Sequence, residues 1–503
     1  MIKNIIILGG GTAGWLTALY VNKTFPNVKI TLIESTSIGI LGAGEGSVPM
    51  LPNVLQALDI SLQSFKQHTN ATYKLGVSFE NWRGDGEKYI VPFSELKETG
   101  LNYKQIISNN YNSKIGLPDN KSTHILTNLI ANGYSLNDTI LSGVLAYNKK
   151  LPFYKENNKI LQSSAFSFHF DARLTADYLK NIGQKRGIDV IDGEIESIVE
   201  NESGYIKSLN LKDGTIVESD FFFDCSGFKR LLIGKHYNTE WKSYSENLPM
   251  NSAIPFFLPH DDKSIPQYTK AVAMKYGWLW QIPLQNRWGC GYIFNNAYIN
   301  EVEAKKEVEE YLGHEIEVRN LFKFDAGRYK KVWVKNCIAI GLSSGFTEPL
   351  EATSIMLQLM QLMDLDPISI ISNTESIRNE YNNTVSIYND EIADFLYWHY
   401  VTDRNDTPFW KEFREKTIMP ERVKRLMEIW KTRTPSDADV KPKTYKSSFD
   451  IEHWIHVAVG NNSIDKSLFI KENEILDLNK KLGLYTNEYL NKMKTILSKS
   501  LDS

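Results

Sequence analysis

A chain of 503 residues is longer than one hydrophobic core ordinarily supports, so two or three coupled modules are expected. Its 57 basic and 60 acidic residues leave a net charge of −3 with no lysine/arginine block and no acidic tail. That balance argues against nucleic acid or an anionic membrane as the main partner and suits a small-molecule enzyme. Cys225, Cys290 and Cys337 lie far apart and form no C-x-x-C, which argues against a disulfide framework or a zinc site and fits a reducing compartment.

In chain order, "NIIILGGGTAGWLTALYVNK" reads as strand, glycine turn and helix. The apolar run Ile5 to Leu8 is too short for a signal segment or a membrane span, so a cytosolic protein is expected. Gly9, Gly11 and Gly14 fill a G-x-G-x-x-G frame: a tight turn, close approach to a pyrophosphate, and a helix N-terminus facing the phosphates. "KITLIES" follows as a second strand ending on Glu34, placed for a ribose hydroxyl pair. The cofactor-binding set is Gly9, Gly11, Thr12, Ala13, Gly14 and Glu34, with Gly44 and Glu45 from "GAGEGSVP" and Leu342 from a later turn.

"TYKLGVSF" alternates as one strand, with Tyr73, Leu75, Val77 and Phe79 on an apolar face and Lys74, Gly76 and Ser78 on the other. Taken alone, Lys74 is a solvated surface lysine. "HFDARLTADYL" places Asp171 and Arg173 either near a cofactor or at a helix cap. Residues 193 to 228 read as a β-meander turning at Asp213-Gly214 and ending in "DCSGF". In "GWLWQIP", Trp278 and Trp280 share a strand face, either in a core or on a cavity wall.

Beyond residue 335, "NCIAIGLSSGFTEPLEATSIMLQLMQL" is a second glycine-rich strand end leading into a helix. A fingerprint at the start and another such turn hundreds of residues later favour FAD over NAD. The later turn carries Gly341-Leu342 where many flavin hydroxylases have Gly-Asp. Pro349 suits a first helical turn, and Glu348 and Glu351 suit the positive end of a helix. From 371 the pattern is helical. His453 and His456, three apart without a third ligand, make a poor metal site, so no metal is expected.

Five stretches, "GGGTAGW" (9 to 15), "GAGEGSVP" (42 to 49), "YKLGVSFENW" (73 to 82), "GWLWQIP" (277 to 283) and "GFTEPLEATSI" (345 to 355), resemble flavin-dependent halogenases of the tryptophan halogenase type. "HFDARLTADYL", "DCSGF" and "HYVTDRNDTPFW" also look like segments of that family. The resemblance implies an α/β fold: an FAD-binding Rossmann-like body of the flavin monooxygenase/halogenase type over 1–370, with a β-rich substrate-side section at 231–330. A mainly helical cap would cover 371–503. It implies a two-component reaction in which a separate reductase delivers reduced FAD. O2 and halide then give hypohalous acid, which travels down a tunnel to an electron-rich arene of indole, phenol or pyrrole type.

In that scheme Lys74 is the catalytic lysine, hydrogen-bonding the oxidant or forming a haloamine, and Glu351 assists. Free N–H groups near Thr353 and Ser354 would hold the halide, although Ala352 and Ser354 stand where some relatives have Ser and Gly. Trp278, Trp280, Ile282 and Pro283 would line the tunnel or substrate side, and "GAGEGSVP" would be a flavin strap. Tryptophan-specific relatives clamp the amino acid's polar end. Phe449, Glu452 and Trp454 here do not align convincingly with that clamp, so the arene and the choice among chloride, bromide and iodide stay open, as does a homo-oligomer. The rival readings are an aromatic hydroxylase and a catalytically silent FAD-binding protein.

Overall fold

The structure, a computed structural model, describes residues 2–39, 44–93, 123–260, 265–440 and 448–503. The chain forms two compact units that interleave along the sequence. One comprises Met1–Ala71, Phe168–Ser245 and Phe324–Asp390, and the other Thr72–Ser167, Glu246–Lys323 and Glu391–Ser503.

The first unit is built on a six-stranded sheet. Its order is Asp189–Asp192, Lys29–Glu34, Asn4–Leu8, Phe221–Asp224, Cys337–Ala339 and Trp333–Val334. The first five strands are parallel and the last is antiparallel. In chain order the parallel strands read 3-2-1-4-5, the doubly wound arrangement, and the order reverses beside Asn4–Leu8. Both neighbours of that strand are apolar, and Ile5, Ile6 and Ile7 are buried, as a strand covered on two faces requires. The expected meander is present as Ile195–Glu200, Ile206–Leu211 and Ile216–Glu218, with Gly214 at φ +88° in its turn.

The second unit is organised by a seven-stranded sheet. Its order is Phe322–Lys323, Ser252–Leu258, Trp288–Phe294, Gly277–Pro283, Thr269–Ala273, Gly76–Glu80 and Lys88–Pro92. One face carries Ile254, Phe256, Val272, Leu279, Cys290 and Tyr292 into a core with Ala304 and Val308 of the helix Glu301–Leu312. Most of the described chain from Glu391 onward is helical, including Pro408–Lys416, Glu421–Trp430, Ile451–Gly460 and Leu478–Lys499. The helix Glu375–His399 joins the two units. No described helix is long and apolar enough to cross a membrane.

"HYVTDRNDTPFW" acquires a role that its sequence does not announce. The Arg404 side chain, 3% exposed, donates to the Asn81 carbonyl at 2.9 Å and, through Nε and Nη2, to both Asp406 carboxylate oxygens at 2.7 and 3.0 Å. It also stacks on Trp410. Around it, Trp82 Nε1 donates to Ala271, Trp410 Nε1 to Met274 and Thr402 Oγ1 to Trp82. One guanidinium thus ties the turn after Gly76–Glu80 to the segment following Glu375–His399. Arg404 is buried while Asp406 is about half exposed, so its loss leaves the Asn81 carbonyl unsatisfied but the carboxylate hydrated, and Arg404→Met is expected to cost about 1–2 kcal/mol, read as a lowered thermal unfolding midpoint.

Candidate active site

In the first unit the glycine turn is fixed by close backbone approach. Gly9 has φ +123°, and a Cβ there would stand 2.2 Å from the Cys225 carbonyl oxygen; one on Gly14 would stand 1.8 Å from the Gly9 carbonyl oxygen. A Cβ on Gly10 would strike the Glu34 side chain, so that carboxylate lies over the turn, where it is ion-paired with Lys180. Gly11 caps the helix Thr12–Thr24 with open space on its Cβ side and no side-chain cap bond, and Thr12 Oγ1 is buried without a hydrogen-bond partner among the described residues.

Uncapped N–H groups at a topological switch point, an open approach and an orphaned hydroxyl form a cradle that fits the diphosphate of FAD. Gly341, at φ +68°, closes on the same helix: its Cβ would lie 3.0 Å from that of Ala13. Leu342 follows it in a short helical turn, so no carboxylate is offered at that position.

The second glycine-rich turn ends in strained backbone. Glu351 (φ 62°) and Ala352 (φ 58°) are consecutive left-handed residues, and the helix Thr353–Met363 starts only after them, capped by no side chain. Glu351 therefore precedes the helix and does not occupy its first turn. It is buried, as is Thr353, whose hydroxyl donates to the Glu348 carbonyl at 3.1 Å. Ser354 Oγ is buried with no hydrogen-bond partner among the described residues.

The described part of "GAGEGSVP" is tied down. Glu45–Gly46 pairs antiparallel with Phe170 and His169, and the Ser47 hydroxyl donates to Phe168 at 2.7 Å. Gly44 has φ +123°, which only glycine adopts easily. Gly42 lies outside the described residues. Asp171 is a helix cap, accepting from the Arg173 and Leu174 backbones at 3.0 Å.

In the second unit Lys74 is 1% exposed, its ammonium nitrogen 5.0 Å from the centre of the Phe93 ring. The single strand expected over residues 72–79 is in fact two, Thr72–Lys74 and Gly76–Glu80. Leu75 interrupts it by donating to Gln267 at 2.7 Å and accepting from Phe93 at 2.9 Å. Gly76 then starts the sheet, where a Cβ would stand 2.5 Å from the Val91 carbonyl oxygen. Continuous alternation therefore fails at Leu75, and Lys74 is not the outer residue of one strand. Thr72 Oγ1 donates to the Pro283 carbonyl at 2.6 Å, tying the lysine segment to the end of the tryptophan strand.

Trp278 and Trp280 do share a face of Gly277–Pro283, opposite Leu279, with ring centroids 6.3 Å apart. Trp278 is buried and Trp280 partly so. Their cross-strand partners are Ala273 and Ala271 on one side, and Ile293 beside Trp278 and Gly291 beside Trp280 on the other. A Cβ on Gly291 would lie 2.0 Å from the Trp280 ring, so the indole lies down over its neighbour strand. Phe93 and Arg404 were not singled out in the sequence; Pro92-Phe93 after an apolar strand was the only local signal for the first. Among the described residues no three His, Cys, Asp or Glu side chains could hold a metal. His456 accordingly sits buried and neutral against the Ile90 carbonyl, burial and His453 bringing its pKa down to about 3.

The family profile for tryptophan halogenases matches residues 4–469. The chain belongs to this family. Tryptophan 6-halogenase SttH of Streptomyces toxytricini is 31% identical over 456 residues, 87% of this chain and 86% of the relative. Its crystal structure superposes with a TM-score of 0.85 at 27% identity, covering 100% of this chain and 98% of the other. Tryptophan 7-halogenase RebH of Lentzea aerocolonigenes is 31% identical over 473 residues, 90% of this chain and 86% of the relative. A flavin-dependent halogenase from Xanthomonas campestris superposes at 0.81 with 27% identity, over 100% and 97% of the two chains. The protein is thus an FAD-dependent halogenase of aromatic compounds, an oxidoreductase.

Within this halogenase, Glu45 is a titrating group on the segment that pairs with Phe170 and His169. Burial, reinforced by the Asp171 carboxylate, pushes its carboxyl up from 4.5 to about 7. Between those values the unfolded chain is ionised while the folded chain keeps its proton, so stability falls as pH rises and levels off above about pH 7. The flavin-free protein is expected to lose up to about 3 kcal/mol across that window relative to Glu45→Gln, measured as the pH dependence of thermal unfolding of both proteins.

Proposed function

We propose that this chain is the halogenating component of a two-component system that receives reduced FAD from a separate reductase, by diffusion or contact, and takes O2 and halide as co-substrates. FAD, when bound in its reduced form, would supply the two electrons that bring O2 to the peroxide level, the oxidant that turns halide into hypohalous acid. Gly9, Gly11, Thr12, Ala13 and Gly14 would hold its diphosphate and Glu34 a ribose. Gly44, Glu45 and Leu342 would complete the cofactor set.

The observation that carries the proposal is Lys74. A lysine is seldom buried, and this one is buried within a matching family segment beside an aromatic ring. Its nitrogen either hydrogen-bonds hypohalous acid or is converted by it to a haloamine, in both cases delivering an electrophilic halogen. On the hydrogen-bonding route the carbon–halogen bond forms as the oxygen–halogen bond breaks, the Lys74 ammonium giving the proton with which water leaves; on the haloamine route water leaves as the nitrogen–halogen bond forms, and that bond breaks as the carbon–halogen bond forms. Glu351 then takes the proton from the ring carbon that received the halogen. The uncapped N–H groups at Thr353 and Ser354 would hold the halide beforehand.

Trp278, Trp280, Ile282 and Pro283 would line the tunnel or substrate side, and an aromatic wall there would suppress direct hydroxylation. The substrate class is an electron-rich indole, phenol or pyrrole. Phe449, stacked on Phe395, and the buried Glu452 and Trp454 do not by themselves make an amino-acid clamp.

Lys74→Ala is expected to abolish halogenation while FAD still binds and peroxide still forms. Mass spectrometry of a panel of indoles, phenols and pyrroles, with reductase, NADH and catalase present and each halide tested separately, checks this and ranks the halides. Oxygen insertion without halide would make the protein a hydroxylase. Glu351→Gln is expected to slow turnover by about 10²-fold or more with little change in thermal stability; a wild-type rate would place the base elsewhere.

A further inference from the structure

The helix Thr353–Met363 carries two buried glutamines with opposite circumstances. Gln361 is saturated: its Oε1 accepts from the Gly341 backbone and the Ser344 hydroxyl, each at 3.2 Å, and its Nε2 donates to the Ala339 carbonyl at 3.2 Å. It meets the fold's need for a polar side chain at the Gly341 turn. Gln358, only 2% exposed, makes no hydrogen bond among the described residues, and its Nε2 is fully buried.

An unpartnered amide is costly to bury, so its retention points to an acceptor absent from the polypeptide. Gln358 lies four residues after Ser354, on the same helix face, and Ser354 Oγ is likewise buried without a partner. The Gln358 Oε1 would be 3.7 Å from a Cβ on Gly341, and that same Cβ position is 3.0 Å from Ala13. Thr12, next to Ala13, carries the third orphaned polar atom, its Oγ1. The Gln358 amide thus lies at the Gly341 turn together with the residue next to Thr12, with Ser354 one helical turn from Gln358, and Leu342 offers no polar side chain of its own there.

We propose that Gln358 is a cofactor-positioning residue that donates from Nε2 to an acceptor oxygen of the flavin's ribityl–diphosphate chain, a polar contact the Gly341-Leu342 turn does not provide. The inference rests on the FAD reading above. It assigns Gln358 a cost in the flavin-free protein and a gain in the complex, whereas a merely structural glutamine would contribute to both.

Titration of the full chain with oxidised FAD, followed by flavin fluorescence, together with thermal unfolding with and without FAD, tests this in Gln358→Met, which is close in shape but has no donor. The expected result is affinity about tenfold weaker, the loss of roughly one hydrogen bond, with a raised unfolding midpoint for the flavin-free protein. Gln358→Glu, which replaces the donor with acceptors, should weaken binding further. Affinity within twofold of wild type in both variants would overturn the proposal, as would a lowered flavin-free midpoint in Gln358→Met. Gly14→Val, whose side chain collides with Gly9, is the control for the cradle. If wild type and Gly14→Val bind FAD equally, or wild type binds none, the cofactor reading fails, and this inference with it.

Discussion

The nucleotide end of the molecule depends on one contact: the Gly9 carbonyl oxygen fills the space a side chain at residue 14 would need. Because helix and strand meet at backbone distance, the first helical N–H groups emerge at the carboxyl end of Asn4–Leu8, where the sheet reverses its order. Two distant segments close on the same turn by the same means. Cys225 stands against Gly9 and Gly341 against Ala13, so strands far apart in sequence are gauged to one another by missing side chains. Any Cβ at Gly9 or Gly14 would displace backbone, not a flexible side-chain end, which makes the geometry stiff.

The second unit solves a different packing problem on the strand Gly277–Pro283. Its Leu279 face enters an aliphatic and aromatic core, while its tryptophan face meets two alanines on one neighbour and, on the other, Gly291 beside Trp280 and Ile293 beside Trp278. Two indoles on one face need that economy next door, since bulky partners at Ala271, Ala273 and Gly291 would lift the rings off the sheet. Register converts a sequence alternation into two neighbouring indoles on one face, their planes inclined at 60°. The tie from Thr72 to Pro283 then holds the lysine segment against the end of that strand.

What could be read from sequence follows from how local each feature is. The glycine turn, the meander with its Asp213-Gly214 turn and the shared face of Trp278 and Trp280 rest on neighbouring residues, and each was legible. The burial of Lys74 was not, because it depends on a bond between residues 211 apart and on Leu75 changing partners. Local alternation carried the expected strand across a break that only Gln267 and Phe93 create. Arg404 was illegible for a related reason: its partners at Asn81 and Ala273 come from distant segments. Gln358 escaped notice because an apolar helix with two glutamines looks the same whether their amides are satisfied or not.

Glu351 and Ala352 show the same limit in backbone form. Nothing in "EPLEATS" demands two left-handed residues, a conformation that costs non-glycine residues roughly 1–2 kcal/mol each. A continuous helix from Pro349 would avoid that cost, and it would place Glu351 in the first turn with its carboxylate at the N-terminal N–H groups. The observed break separates the two. The carboxylate precedes the helix, and the helix begins at Thr353 with its N–H groups uncapped. An anion and a proton acceptor can then be held by adjacent residues without the acceptor occupying the anion's place.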